Sequence, residues 1–198
     1  MKISHYIKSL KIEKVKTDLL RIFFLFTISF VAIIVFLLLL EAIFYFPPKV
    51  KKLTILSISG LIFLKIIFVI AFLLLIDKEY FNKYSGWSLA RLIGKSIFPD
   101  NKDTALNALQ IENAKNKNQS SELADNFTQS IAKKLEGHNP KKLIDKKPLI
   151  NIKMATSTIM FLSIIFLSVF SKQSSNAFYR WKHYNQEFHA PKPFKLYS

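Results

Sequence analysis

Apolar residues are gathered into three blocks along the chain. Residues 22–40 contain no charge, residues 53–76 contain one, Lys65, and residues 154–170 are apolar except for Thr156, Ser157, Thr158, Ser163 and Ser168. At 1.5 Å per residue, a block the length of the first reaches about 28 Å, close to the roughly 30 Å hydrocarbon thickness of a bilayer. Each block is therefore predicted to be a membrane-spanning helix. The first is too long for a secretory signal core and lacks a small-residue cleavage site. A lysine at mid-span costs about 2.5–3.5 kcal/mol, whereas the Leu, Ile, Phe and Val around Lys65 return roughly 5–11, so the second span survives its charge. The third reaches full length when extended back to Ile150, with Lys153 snorkelling to the headgroups.

Pro47 and Pro48 end the first block, and residues 47–52 are expected to connect it to the second as an antiparallel hairpin. Reflection about that connector sets Lys65 opposite Ile34 and Glu41 opposite Ile58. Direct pairing of Glu41 with Lys65 would then need a kink or a second subunit.

The remaining segments carry shorter patterns. In residues 1–21, Ile3, Tyr6, Ile7, Leu10 and Val15 recur at helical spacing against Lys8, Lys11, Lys14 and Lys16, which predicts a basic amphipathic helix lying on anionic headgroups. Between the second and third spans, helices are predicted over residues 88–97, 104–113 and 122–136. Pro99 stops the first of these, Asp100 or Asp103 can cap the second, Ser120 or Ser121 can cap the third, and Gly137 with Pro140 closes it. Residues 116–121 lack any apolar side chain and read as a connector. The apolar stripes are narrow, so these helices are expected to bury them against each other and the membrane surface. After the third span, residues 171–176 are polar and residues 178–184 interleave aromatics with Arg180 and Lys182. The stretch from His189 through Pro191 and Pro193 reads as an extended lead into a region beyond Ser198, so the chain is expected to be truncated. The expected organisation is a basic segment at 1–21, a transmembrane hairpin at 22–76, a cytoplasmic helical module at 77–149, a third span at 150–170 and an extracytoplasmic segment at 171–198. The fold class is all-α: an integral membrane protein with three transmembrane helices and a short-helix cytoplasmic module.

Composition agrees with this division. Of 198 residues, 51% are hydrophobic and 21% charged, with only 4 Gly, which is unlike a soluble domain. Twenty-nine Lys+Arg against 13 Asp+Glu give a net charge of +16. Six of these basic residues lie in 1–21 and 14 in 77–153, against three in 47–52 and five in 171–198. The positive-inside rule assigns the first two segments to the cytoplasm and the C-terminal segment to the outer side of the membrane. Orientation and attraction to anionic lipid account for the charge, and no nucleic-acid-binding motif accompanies it.

No catalytic constellation is found in the sequence. The absence of cysteine removes disulfides, thiolate catalysis and Cys-ligated metals. His5, His138, His183 and His189 share no metal-ligand spacing, and Gly60, Gly86, Gly94 and Gly137 are too scattered for a phosphate loop. Asp100 and Asp103 are explained as helix caps. No metal, cofactor or enzymatic activity is expected. Asn118-Gln-Ser120 and Asn126-Phe-Thr128 match the glycosylation acceptor pattern, which a cytoplasmic placement makes irrelevant. Lys65 is the one candidate functional charge within the spans, facing either a helix contact or a partner and a polar path.

The order of the segments carries a resemblance. A two-span hairpin is followed by Ala90-Arg91-Leu92-Ile93-Gly94-Lys95-Ser96-Ile97-Phe98-Pro99, then Asp103-Thr104-Ala105-Leu106-Asn107-Ala108-Leu109-Gln110 and Ser121-Glu122-Leu123. A third span leads to Phe178-Tyr179-Arg180 and then to Phe188 through Pro191, Pro193 and Phe194. This arrangement resembles the N-terminal part of an uncharacterised family of long bacterial membrane proteins, known only as a domain of unknown function. Lys95-Ser96-Ile97 lengthens that family's Ile-Gly-x-x-Phe-Pro step by one residue, and Thr104-Ala105 replaces a more apolar pair. The resemblance implies a membrane anchor continuing into a large extracytoplasmic region, and it supplies no substrate or catalytic residue. Gly94, Phe98, Pro99, Asp103, Asn107 and Gln110 are its motif residues, with a partner-binding or structural role. The expected function is that of an anchor or scaffold for an envelope protein with a protein partner; the alternative is a subunit of a transport assembly with Lys65 in a polar path.

Overall fold

A computed structural model describes residues 2–115 and 122–189. It contains seven α-helices: α1 (Ile3–Phe44), α2 (Pro48–Asp77), α3 (Gly86–Ile97), α4 (Thr104–Lys115), α5 (Glu122–Glu136), α6 (Lys147–Val169) and α7 (Ser171–Lys182). Short 3₁₀ turns lie at Asn82–Tyr84 and Pro140–Leu143, and there is no strand among the described residues. The connector at 116–121 and the segment from Ala190 onward, with Pro191, Pro193 and Phe194, fall outside them. Three helices, α1, α2 and α6, are long and apolar enough to cross a membrane. The chain forms two compact units.

The first unit comprises Met1–Ile22 and Phe72–Ile150. Its core joins Ile3, Tyr6, Ile7 and Leu10 of α1 to Leu89, Ile93 and Ile97 of α3, Ala105 and Leu109 of α4, and Ile131 and Leu135 of α5. The N-terminal stripe therefore does not lie on headgroups as its pattern suggested. Helices α3, α4 and α5 each carry a stripe too narrow to close a core among themselves, and the α1 stripe is the fourth wall. The start of α1 is fixed by Glu112, whose carboxylate accepts from the backbone N–H of Ile3 (2.8 Å) and Ser4 (3.3 Å) and from the Ser4 hydroxyl. An anionic acceptor there satisfies two free amide groups and complements the helix dipole. The Tyr6 hydroxyl donates to the His138 carbonyl at 3.0 Å, and burial raises its pKa. Ser85 caps α3 by accepting from Ser88 N–H. At Gly94 the α3 backbone passes so close to the Lys102 carbonyl that a Cβ would overlap it.

The second unit comprises Phe23–Ala71 and Asn151–Ser198. Its hairpin turns through residues 45–47 alone, because Pro48 begins α2 instead of sitting in a connector over 47–52. Proline is well suited to the first helical position, where its missing N–H forms no intrahelical bond, and the Pro47 carbonyl accepts from Val50 and Lys51. At the end of α1, Tyr45 takes a left-handed conformation (φ 50°) and its N–H returns to the Glu41 carbonyl at 3.2 Å. Helix α6 reaches back past Ile150 to Lys147, as the length of a bilayer requires. Three of its hydroxyls are satisfied within the helix: Thr156, Ser163 and Ser168 each donate to the carbonyl four residues back at 2.8 Å. Residues 171–176, polar in the sequence and given no element there, begin α7 after a break at Phe170.

Candidate functional site

The most constrained polar site lies in the second unit, where the hairpin turn meets α7. With the turn centred on Phe46, Glu41 and Lys51 sit five residues to either side and face each other across the hairpin. Lys51 Nζ lies 3.0 Å from Glu41 Oε1, and Arg180 Nε of α7 donates to the same oxygen at 3.0 Å. The Phe46 N–H donates to Oε2, and Arg180 Nη2 donates to the Glu41 backbone carbonyl, both at 3.0 Å. Glu41 and Lys51 are fully buried and Arg180 nearly so. The Arg180 guanidinium stacks over the Tyr45 ring at 4.2 Å, and Lys51 Nζ lies over the Phe188 ring at 4.9 Å. Two cations thus share one carboxylate, and among the described residues the Lys51 ammonium meets it as an ion pair without a hydrogen-bond acceptor. The cluster has no nucleophile and no general base free to act. It is a staple: it binds the turn between α1 and α2 to the helix that follows α6, and stacking on Tyr45 holds that residue's left-handed backbone.

Lys65 occupies a second position in the same unit. The shortened turn slides the register, so Lys65 faces the Thr27 level of α1 and not Ile34. Its Nζ donates to Ser29 Oγ at 2.9 Å and lies 4.8 Å from the centre of the Phe26 ring. Ser29 itself donates to the Phe26 carbonyl, which turns its lone pairs toward the ammonium. Around them an open groove of about 510 Å³ is lined by Phe23, Phe26, Phe30, Ile62, Ile66 and Ile70, with Thr27 and Lys65 as its polar side chains. Glu41 is not the partner of Lys65, since Lys51 and Arg180 engage it.

In the first unit, the motif residues divide between core and surface. Gly94 and Phe98 are buried, while Pro99, Asp103, Asn107 and Gln110 are exposed. The Asp103 carbonyl accepts from Asn107 N–H at 2.8 Å at the start of α4. The Asp103 carboxylate and the side chains of Asn107 and Gln110 make no hydrogen bond among the described residues and form an exposed polar row on α4. Asn126 of the acceptor tripeptide lies inside α5, where Thr128 bonds back to the Ala124 carbonyl.

One further cluster ties α1 to the turn before α3. Asp18 Oδ2 accepts from the Tyr84 hydroxyl at 2.6 Å and from Lys83 Nζ at 3.2 Å, and Arg21 lies 3.4 Å from Oδ1. Burial by itself would raise the Asp18 pKa, but the hydrogen bonds from Tyr84 and Lys83 and the charges of Lys83 and Arg21 outweigh it, and the net shift is downward. Burial, then the Asp18 bond, pushes the Tyr84 phenol well above its usual range. Burial also lowers Lys14, whose Nζ donates to the Lys83 carbonyl at 3.0 Å.

Asp18 and Tyr84 carry no signal in the linear pattern, and the pattern does not mark Lys51 or Arg180 as partners of Glu41. A proline read as the first residue of a helix, not the last barrier after one, would have exposed the Glu41–Lys51 pairing. The aromatic stretch around Arg180 carries no such marker of its partner. These observations define a multi-pass α-helical membrane protein. No protein-family model, curated protein or solved structure matches the chain.

Proposed function

We propose that this chain is a membrane anchor and scaffold, the N-terminal part of a larger envelope protein in the bacterial inner membrane, with no catalytic role of its own. The observation that carries this reading is that α1 is unbroken from Ile3 to Phe44: one helix supplies both a wall of the short-helix core and a membrane span. The excess of basic residues in 1–21 and 77–153 favours a cytoplasmic module, and the C-terminal segment then lies outside. On this reading the exposed row of Asp103, Asn107 and Gln110 presents the module to a cytoplasmic protein, and anionic headgroups meet the surface lysines.

Affinity purification of the full chain from mild detergent tests the scaffold role. The wild type is expected to retain a defined protein that Asn107→Lys with Gln110→Glu loses, while both forms stay in the membrane. Equal recovery from the two, or no specific protein from either, would overturn it.

A further inference from the structure

Lys65 stands about 16–18 Å from either end of its apolar block, 12 residues after Leu53 and 11 before Ile76. That is farther than a lysine stem can snorkel, and its ammonium turns instead to Ser29 Oγ and the Phe26 ring. An ammonium has three donors, and a hydroxyl with an aromatic face leaves it without a counter-charge. Among the described residues no carboxylate lies within ion-pair distance of it. Residues 22–40, 53–76 and 147–169 contain no Asp or Glu, so a second copy of this chain would bring another Lys65 and not its complement. A phospholipid in the groove would offer methylenes at this depth, because its phosphate stays at the headgroup. A transmembrane helix, by contrast, can carry a carboxylate at any level.

We propose that the groove beside Lys65 is a docking site for a transmembrane helix from outside these 198 residues, bearing an Asp or Glu near mid-bilayer that pairs with Lys65. Its apolar side chains pack on Phe23, Phe30, Ile62, Ile66 and Ile70, and the ion pair sets its depth and identity. A buried charge pair in lipid selects one partner over others, since any helix without the acid leaves the lysine unmet. The site is separate from the α4 row, so either interaction can fail without the other.

A photo-activatable phenylalanine analogue at Ile62, with a control at the exposed Leu64 on the opposite side of α2, tests this in native membranes with the full chain. The expected result is a protein adduct from position 62 alone, retained in Lys65→Arg and lost in Lys65→Met. Methionine enters a span more readily than lysine, so the loss cannot come from failed insertion. Mass spectrometry of the adduct should place an acidic residue inside a span of the captured chain, and changing that acid to Lys should restore the adduct in Lys65→Asp. Adducts with lipid only, an adduct that persists in Lys65→Met, or a captured helix without an acid would each overturn the proposal.

Discussion

Glu41 shows how much one buried side chain can govern. Among the described residues its carboxylate is the anion that Lys51, Arg180 and the Phe46 amide share, so removing its charge leaves two buried cations without their counter-ion. Glu41→Gln is expected to destabilise the hairpin by about 3–5 kcal/mol, the usual cost of orphaning a buried charge. Unfolding in detergent, followed by Trp181 beside Arg180 in a Trp87→Phe background, measures this. The triple variant Glu41→Leu, Lys51→Met, Arg180→Met should recover most of the loss, because it leaves no charge unmet. Asp18 supplies a pH test. Its carboxyl is depressed in the folded state, so its contribution is complete above the ordinary carboxylate range and fades as pH falls below about 4. Tyr84 is raised, and its contribution fades as pH climbs above about 10. Unfolding reported by Trp87 in a Trp181→Phe background should show Asp18→Asn less stable than wild type by about 1.5–3 kcal/mol at neutral pH. The difference should shrink in acid; a gap that is independent of pH would mean that the hydrogen bonds from Tyr84 and Lys83 do not depend on the charge.

Helices and turns differed in how plainly they could be read. Helix α5 runs over the residues its four-residue recurrence of Leu123, Phe127, Ile131 and Leu135 marked, and α3 and α4 differ from expectation by about one turn or less at their ends. The hairpin turn is shorter than the pattern predicts because Pro48 starts a helix and is not a barrier, and every pairing across the hairpin shifts with it. Helix α7 has no marker in the pattern: its serines are weak helix formers, and Arg180 docks it on Glu41. Two substitutions probe these elements. Gly94→Val should cost about 1–3 kcal/mol by forcing α3 away from the Lys102 carbonyl, seen as a lower melting temperature of the Trp87 signal. Leu10→Ala should cost about 2–5 kcal/mol, because Leu10 is fully buried in the module core. A negligible effect would return the N-terminal stripe to the headgroups.

The whole chain is described by which ends of its helices share a side. The Arg180–Glu41 contact joins residues 139 apart and puts α7 beside the hairpin turn, as three crossings demand. Because the chain has no cysteine, single-cysteine variants at the exposed Lys102 and Lys172 can be labelled with a membrane-impermeant maleimide in intact cells. Lys172→Cys should react from outside and Lys102→Cys only after permeabilisation; the reverse pattern would invert the proposed orientation. The three spans were legible from the residues alone, since the solvation of a contiguous helix in hydrocarbon depends on local composition and length. The same holds for the module helices, whose stripes declare a buried face. What covers that face, and which charges meet, depended on the folded chain. Ile3 and Leu10 look alike whether they face lipid or α3, and the pairing of Glu41 with Lys51 and Arg180 follows from a turn at 45–47 and a helix after Phe170. Contacts between distant segments are set by register, and a shift of one helical turn changes every partner while the pattern of polar and apolar residues stays the same.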